Sequence, residues 1–472
     1  MKLNTLLDHI EINRNDAIPD TEIKGISTNS KTIQIGEVFV AIPGFKVDGH
    51  NFIDKAIEVG ASVIVGEKDL RDLTVPYIQV TSSRLALAKL ACQYYGYPSK
   101  KKIVIGITGT NGKTTTSFML KSILEACGRT CSIFGSINNV VNGQVFPSIN
   151  TTPDALELQR QLALSEDEYT IIEVSSQGLT QYRVAGMEFD YCLFTNLDRD
   201  HLDYHQDMNE YFSVKASLFD QLKPDGKAIV NQYNHWGKKL KNQLKQKDED
   251  IYILGDNLKI KKSKTNGSTQ IIEGNQTYKL SLKILGYHNV LNASMAFLTA
   301  RQMGLSSTSI IKALEMFPGV PGRFEIIEHP IGATIVIDYA HTAEAFYHCL
   351  QTAKDSCAKR VFHIFGFRGN RDTGKRREMV NVSQELSDVS ILTFDDLDGV
   401  PYDEMEQSLH HLNQIGWVIP DRTLAIKEVL EQVIEGDWVF ITGKGAETYE
   451  LNFQIPTVSD IDTVQYFLSL EN

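Results

Sequence analysis

Short apolar runs rich in β-branched residues recur along the chain, with amphipathic stretches between them. Ten read as strands: Glu37–Ile42, Ala61–Gly66, Lys102–Gly109, Tyr169–Ser176, Tyr191–Leu197, Gly226–Asn231, Ala333–Ala340, Arg360–Gly366, Val389–Asp396 and Asp437–Gly443. Strands that alternate with helical patterns predict an α/β protein whose parallel sheets are covered by helices. Ten runs are too many for one modest sheet, and 472 residues are too many for one core. Two turn-rich breaks, "YYGYPSKKK" at 94–102 and "FPGVPGRFE" at 317–325, divide the chain. The expectation is three domains: 1–98; a central phosphate-loop domain, 99–321, with helices on both faces of a parallel sheet; and a Rossmann-like α/β domain, 322–472. The lysine-rich region 238–268 reads as a solvated helix and hairpin.

Composition adds little to this picture beyond exclusions. Hydrophobic residues make up 42% and charged residues 22%, as in ordinary globular proteins. The formal net charge of −12 argues against a nucleic-acid partner bound through bulk charge, while leaving room for a local anion site. Six cysteines without a CxxC pair read as reduced thiols of a cytoplasmic protein. Cys127 and Cys131, four apart, are expected on one helical face as a buried pair. The amino terminus lacks a signal-peptide pattern, and no run reaches the ~18–20 apolar residues of a membrane span. A cytoplasmic monomer is expected.

The candidate chemistry begins at "KKIVIGITGTNGKTTTSFMLKSI", 101–123. The strict phosphate-loop expression wants glycine at 107, where Ile107 stands; glycines occupy 106 and 109 instead. The physics is retained. Gly109 and Gly112 let backbone N–H groups turn inward, Lys113 reaches phosphates, and Thr114 is placed to ligate Mg²⁺ at a helix N-terminus. Glu173, at a strand end, is a candidate ligand for the metal of a nucleoside triphosphate. Asp198, Asp200, His201, Asp203 and His205 crowd the end of the next strand, a density typical of metal or catalytic sites. Lys215 falls on the following helix near Phe212, Leu218 and Phe219, where a lysine ordinarily snorkels to solvent.

"TGTNGKTT", "EVSSQGL", "TNLDRDHLDYH" and "KASLF", in this order, resemble the Mur ligases, ATP-dependent amide-bond enzymes of peptidoglycan synthesis. The stretch 26–53, "NTTPDALELQ" at 150–159 and "RGNRDTGKRREM" at 368–379 narrow the resemblance to the MurE branch, which adds the third amino acid of the precursor. The resemblance spans nearly the whole chain. It implies that ATP phosphorylates the terminal carboxylate of UDP-MurNAc-L-Ala-D-Glu and that an amino acid's amine then attacks the acyl phosphate. It assigns Gly109, Thr110, Asn111, Gly112, Lys113, Thr114 and Thr115 to the ATP phosphates, and Thr114, Glu173, His201 and Lys215 to the Mg²⁺ ions. Lys215 would act as a carbamate. Lys113, Lys215, His201 and Glu173 are thereby the catalytic set. Asn289 and Asn292 would lie near the adenine, Arg323 at a phosphate and Asp338 at the ribose. Ser30, Asn150, Thr151, Thr152, Ser175, Gln181 and Arg183 would bind the UDP-sugar dipeptide. Arg371, Asp395, Asp396, Asp398, Gly443 and Glu447 would form the amino-acid pocket. By the same resemblance the three domains bind the UDP-sugar, ATP and the amino acid in turn.

Departures from the family pattern cluster. Gln177 stands for a histidine, Ala343 for a proline, and Phe367 and Arg368 for small residues. The amino-acid selector, "DNPR" in diaminopimelate enzymes and "DNPA" in lysine enzymes, here reads Asp395-Asp396-Leu397-Asp398. Three acids there imply a basic amino acid, lysine or a similar residue. Two other readings stay open: a paralogue that ligates a different acyl or amine substrate in specialised metabolism, and an inactive paralogue with a binding role.

Overall fold

The structure is a computed structural model that describes residues 1–15, 20–44, 47–247, 249–262, 269–413 and 415–470. Each of the ten expected runs carries a strand. The chain forms two compact units. The first comprises Met1–Thr108, Arg129–Leu193 and Val214–Ala228; the second comprises Gly109–Gly128, Phe194–Ser213 and Ile229–Asn472. Residues of the expected central domain therefore fall in both units.

The first unit opens with a sheet that has five strands among the described residues. Gly25–Ser27, Glu37–Val40, Val63–Gly66 and Tyr77–Val80 run parallel, and Ile12–Asn15 closes the edge antiparallel. Side chains alternate between the two faces of a strand. Val38, Val40, Val63 and Val65 pack with Leu87 and Leu90 of the helix Ser83–Tyr94, whereas Phe39 and Ile64 pack with Ile53 and Ala56 on the other face. Further along, Tyr169–Glu173 lies between Ile103–Thr108 and Cys131–Phe134, parallel to both. Ile171 pairs with Ile105 and Glu173 with Ile107, so Glu173 reaches the strand end from which the phosphate loop departs.

In the second unit the helices Lys113–Ala126, Tyr287–Gln302 and Ser307–Met316 pack on one another. Leu258–Lys262, Thr269–Glu273 and Gln276–Leu280 form an antiparallel meander, and His235–Gln246 is the helix expected in the lysine-rich stretch. Residues 248 and 263–268 of that stretch lie outside the described residues. The carboxy-terminal sheet has the order Glu325–Glu328, Thr334–Asp338, Trp438–Thr442, Val361–Phe365, Val389–Leu392, Trp417–Val418. All its neighbours are parallel except the antiparallel first pair. Val336, Phe365, Leu392 and Phe440 face one helical layer, and Ile335, Ile337, Ile364 and Ile441 face the other. This is the doubly wound arrangement, in which ligands bind beyond the carboxyl ends of the strands where the strand order reverses.

Two local expectations are corrected. Cys127 and Cys131 do not share a helix: Lys113–Ala126 ends before Cys127, Gly128 takes a left-handed φ of 75°, and Cys131 opens a strand. Lys215 does not snorkel. Only 1% of it is exposed, although it stands in the last turn of the helix Met208–Ala216.

Candidate active site

The phosphate loop leaves the strand Ile103–Thr108 and turns at two glycines before the helix Lys113–Ala126. Gly109 has φ 145°, and a Cβ there would lie 2.0 Å from Thr195 Oγ1. Gly112 caps the helix at φ 81°, and a Cβ there would lie 2.3 Å from Asn292 Oδ1. Both positions require glycine on conformational and steric grounds. The segment 195–198 braces the loop: Thr195 Oγ1 donates to the Asn111 carbonyl at 2.7 Å, and Asn111 N–H donates to Asn196 Oδ1 at 2.9 Å. Asp198 N–H donates to Thr110 Oγ1 at 3.0 Å. Lys113 Nζ lies over the loop and donates to the carbonyls of Gly109 and Thr110 at 2.9 and 2.8 Å. A glycine cradle, a lysine above it and a helix N-terminus that no side chain caps fit a nucleotide's phosphates. Asn292 holds the loop side of its helix, 3.5 Å from Thr116 Oγ1, and its Nδ2 donates to Asn289 Oδ1 at 3.4 Å.

Around the acidic segment, Asp200 is almost wholly buried. Lys375 Nζ donates to Asp200 Oδ1 at 2.7 Å, and His341 Nε2 and His201 Nε2 lie 3.1 and 3.4 Å from Oδ2. Burial alone would raise its pKa, yet His341, His201 and Lys375 hold it well below the ordinary carboxylate range. Asp198 is the opposite case: burial, aided by the charge of Glu344, lifts its carboxyl to about 6. His201 adopts φ 56°, a left-handed conformation. Among the described residues no three His, Cys, Asp or Glu side chains converge on a metal-sized site. The expected metal set contributes two residues of those types, Glu173 in the first unit and His201 in the second, beside Thr114 and Lys215.

All seven expected UDP-sugar residues lie in the first unit. Glu173 is fully buried; Ser136 donates to it through N–H at 3.2 Å and lies 3.1 Å from Thr151 Oγ1. Thr152 Oγ1 donates to the Glu173 carbonyl at 2.8 Å and lies 3.1 Å from Ser175 Oγ. Arg183 donates to the Thr152 carbonyl at 2.7 Å and to Gln181 Oε1 at 2.9 Å. Asn150 is exposed beside this network, and Ser30 is buried in the amino-terminal turn.

In the carboxy-terminal sheet, Asp338 pairs in register with Thr442, and Gly443 N–H donates to the Asp338 carbonyl at 3.1 Å. Phe324 and Ala340 N–H donate to the Asp338 carboxylate at 2.6 and 2.7 Å. Burial raises its pKa, against the lowering effect of Arg323 and these two N–H groups. The Arg323 guanidinium stacks on Tyr339, 4.1 Å from the ring centroid. Next to it, Lys444 Nζ donates to Asp395 Oδ1 at 3.2 Å and to Asp396 Oδ1 at 2.8 Å, with all three side chains buried. Burial opposes the ionised form of Asp395, but Lys444, Arg422 and Arg368 carry its pKa below the usual value. Arg368 pairs with Glu447 and lies 3.8 Å from Asp396. Arg371 lies 3.7 Å from Asp203.

This geometry corrects the reading of the selector. Asp395 and Asp396 are not free acids awaiting a cationic substrate, because Lys444 already occupies both. Asp398 is exposed at a turn tip, with φ 47°, followed by Gly399 at φ 84°. Sequence reasoning missed Lys444, although "TGKGAE" puts it two residues beyond the strand Trp438–Thr442, at the carboxyl end of the sheet.

Three family profiles cover most of the chain: the Mur ligase family catalytic domain at residues 22–95, the Mur ligase middle domain at 107–300, and the Mur ligase glutamate ligase domain at 322–445. A UDP-N-acetylmuramoyl-L-alanyl-D-glutamate–2,6-diaminopimelate ligase of Clostridium botulinum is 36% identical over 96% of each chain. The chain belongs to the Mur ligase family. It is an ATP-dependent amide ligase. The Mur ligase of the same name from Aquifex aeolicus is 38% identical over 91% of this chain and 90% of its own. A solved UDP-N-acetylmuramoyl-L-alanyl-D-glutamate–2,6-diaminopimelate ligase matches 100% of this chain and 99% of its own, with TM-score 0.67 and 26% identity. MurF from Acinetobacter baumannii, 21% identical with TM-score 0.68, shares the fold over 93% of this chain. The protein thus has the three-domain α/β Mur ligase fold, with helices on both faces of its sheets. No helix among the described residues is long and apolar enough to cross a membrane.

Proposed function

We propose that this Mur ligase joins a free amino acid to UDP-MurNAc-L-Ala-D-Glu in peptidoglycan precursor synthesis. The observation that carries the reading is the phosphate loop, with Lys113 above two glycines of positive φ where a Cβ would crowd Thr195 and Asn292. ATP supplies the phosphoryl group that turns a poor electrophile, the substrate carboxylate, into an acyl phosphate. A carboxylate oxygen bonds to the γ-phosphorus and ADP leaves; the amine then bonds to the acyl carbon, inorganic phosphate leaves and the amine gives up a proton. In this proposal Lys113 offsets charge on the transferring group, and Thr114, Glu173, His201 and a carbamylated Lys215 hold Mg²⁺. Asn289, Asn292, Arg323 and Asp338 bind the rest of the nucleotide. Ser30, Asn150, Thr151, Thr152, Ser175, Gln181 and Arg183 bind the UDP-sugar dipeptide. Arg371, Gly443 and Glu447 belong to the amino-acid pocket. The domain limits proposed are 1–98, 99–321 and 322–472, and the proposed compartment is the cytoplasm.

The relatives named above act on 2,6-diaminopimelate, whereas this chain carries Asp398 where diaminopimelate enzymes carry arginine. That substitution favours a second reading, a paralogue with a different acyl or amine substrate; lysine, the expectation from the three acids, has lost the support of Asp395 and Asp396. Phosphate release with ATP, Mg²⁺ and UDP-MurNAc-L-Ala-D-Glu across a panel of amino acids tests the proposal. Amino-acid-dependent release is expected in wild type, with a loss of about a hundredfold or more in Lys113→Ala. Release that ignores UDP-MurNAc-L-Ala-D-Glu would favour the second reading, and unchanged activity in Lys113→Ala would refute both.

A further inference from the structure

Two loops of the second unit meet through three ion pairs. Arg199, Asp200 and Asp203 stand on one loop; Asp372, Lys375 and Arg371 answer them from the other. The pairs are unequal. Lys375 Nζ donates to the buried Asp200 at 2.7 Å, and Arg199 Nε lies 3.6 Å from Asp372 Oδ2. Arg371 Nη1 lies 3.7 Å from Asp203 Oδ2, beyond hydrogen-bond distance. The turns on both sides of that gap are fixed. Arg376 donates to the carbonyls of Arg368 and Gly369 at 3.0 and 2.6 Å, and Gly374 N–H donates to Asp372 Oδ1 at 2.9 Å. Opposite them, the N–H groups of Tyr204 and His205 donate to the His201 carbonyl at 3.0 and 2.9 Å.

Neighbouring cations are engaged. Lys444 donates to Asp395 and Asp396, Arg422 holds Asp460 through two bonds, and Arg368 donates to Glu447. Arg371 differs: its side chain is 44% exposed, and among the described residues neither it nor the Asp203 side chain makes a hydrogen bond. The planar fork of Arg371 therefore keeps its donors, and such a fork takes a carboxylate through two parallel bonds. Every α-amino acid brings that carboxylate, whatever its side chain. Asp203 is the anion already facing the fork. We propose that Asp203 sets the affinity of the amino-acid pocket: it offsets the charge of Arg371 until an incoming α-carboxylate displaces it. The exchange favours the substrate, because two short charge-assisted bonds replace one contact at 3.7 Å. The competition still weakens binding, since only the fraction of Arg371 not paired with Asp203 is competent. Lys375 is the fixed point, its bond to Asp200 keeping the Arg371 loop in place during the exchange. The inference rests on reading Arg371 as part of the amino-acid pocket and adds the group that competes there.

Calorimetric titration of the full-length protein with meso-diaminopimelate, lysine and glutamate tests it, alongside KM for each in phosphate release with ATP and UDP-MurNAc-L-Ala-D-Glu. Asp203→Asn keeps the shape of the side chain and removes its charge. It is expected to lower Kd and KM for the amino acid about two- to fivefold, the scale of a partly exposed ion pair, with Kd for ATP unchanged. Arg371→Gln is expected to weaken the amino acid. Adding Asp203→Asn to Arg371→Gln should then change nothing further, because the competing pair is already gone. An Asp203→Asn variant that binds the amino acid equally or more weakly overturns the proposal, as does the same gain in the Arg371→Gln background. If none of the three amino acids binds or drives release, the amino-acid reading of the pocket has failed, and this inference with it.

Discussion

The ammonium of Lys444 lies 2.8 Å from the carboxylate of Asp396, and both are shut away from solvent. Asp395 shares the same cation at 3.2 Å. Removing one partner of a buried ion pair strands the rest without compensation. Lys444→Met is therefore expected to destabilise the carboxy-terminal domain by about 3–5 kcal/mol. Urea denaturation of the variant checks this; a loss within experimental error would show that the two acids take up protons at no cost.

Lys215 offers a test of the proposed metal chemistry. A lysine with 1% of its surface exposed is a poor place for an ammonium, and conversion to a carbamate changes its charge from positive to negative. Lys215→Ala is expected to be nearly inactive and partly restored by formate or acetate, which return an anion to the gap. Rescue by neutral amides of the same size, or no rescue at all, would count against the carbamate.

Asp398 is expected to have no say in amino-acid choice. It is exposed, with φ 47°, and accepts a hydrogen bond from Asn370 Nδ2 at 2.7 Å through its backbone carbonyl, which any residue retains. Asp398→Ala should leave the ratio of kcat/KM for lysine over diaminopimelate unchanged and cost about 1 kcal/mol through the left-handed backbone. A shifted ratio would restore the acidic-selector reading.

His363 sets an acid limit on stability. Its Nδ1 and Nε2 lie 2.9 Å from Ser383 Oγ and 2.9 Å from Thr442 Oγ1, and burial, with the charge of Arg422, brings the imidazole down to about 3. The unfolded chain takes up that proton first, near pH 6.5. The contribution is thus complete above about pH 6.5 and is lost progressively as pH falls toward 3. The decline in unfolding free energy between pH 7 and 5 should be smaller in His363→Gln than in wild type. Equal slopes would assign the acid sensitivity to other groups, such as His288, which burial also lowers to about 3.

Much of this architecture was written in local pattern. Apolar β-branched runs marked ten strands because a strand buried on both faces must be apolar almost throughout. The phosphate loop was legible because Gly109 and Gly112 adopt backbone angles and close contacts that exclude a Cβ, a constraint within a few residues. The partners of charged residues were not legible. Lys444 meets Asp395 and Asp396 across 49 and 48 residues, and Arg368 meets Glu447 across 79. Those meetings exist because Trp438–Thr442 inserts between Thr334–Asp338 and Val361–Phe365, a crossover that no periodicity announces. Three acids within four residues, Asp395, Asp396 and Asp398, read as a free anionic selector in sequence, and the fold turned two of them inward onto one lysine. Lys215 likewise read as a snorkelling side chain, until packing closed around it. Hydrophobic period is a property of neighbouring residues and survives in the sequence; charge compensation is a property of distant ones, and only the tertiary structure decided it.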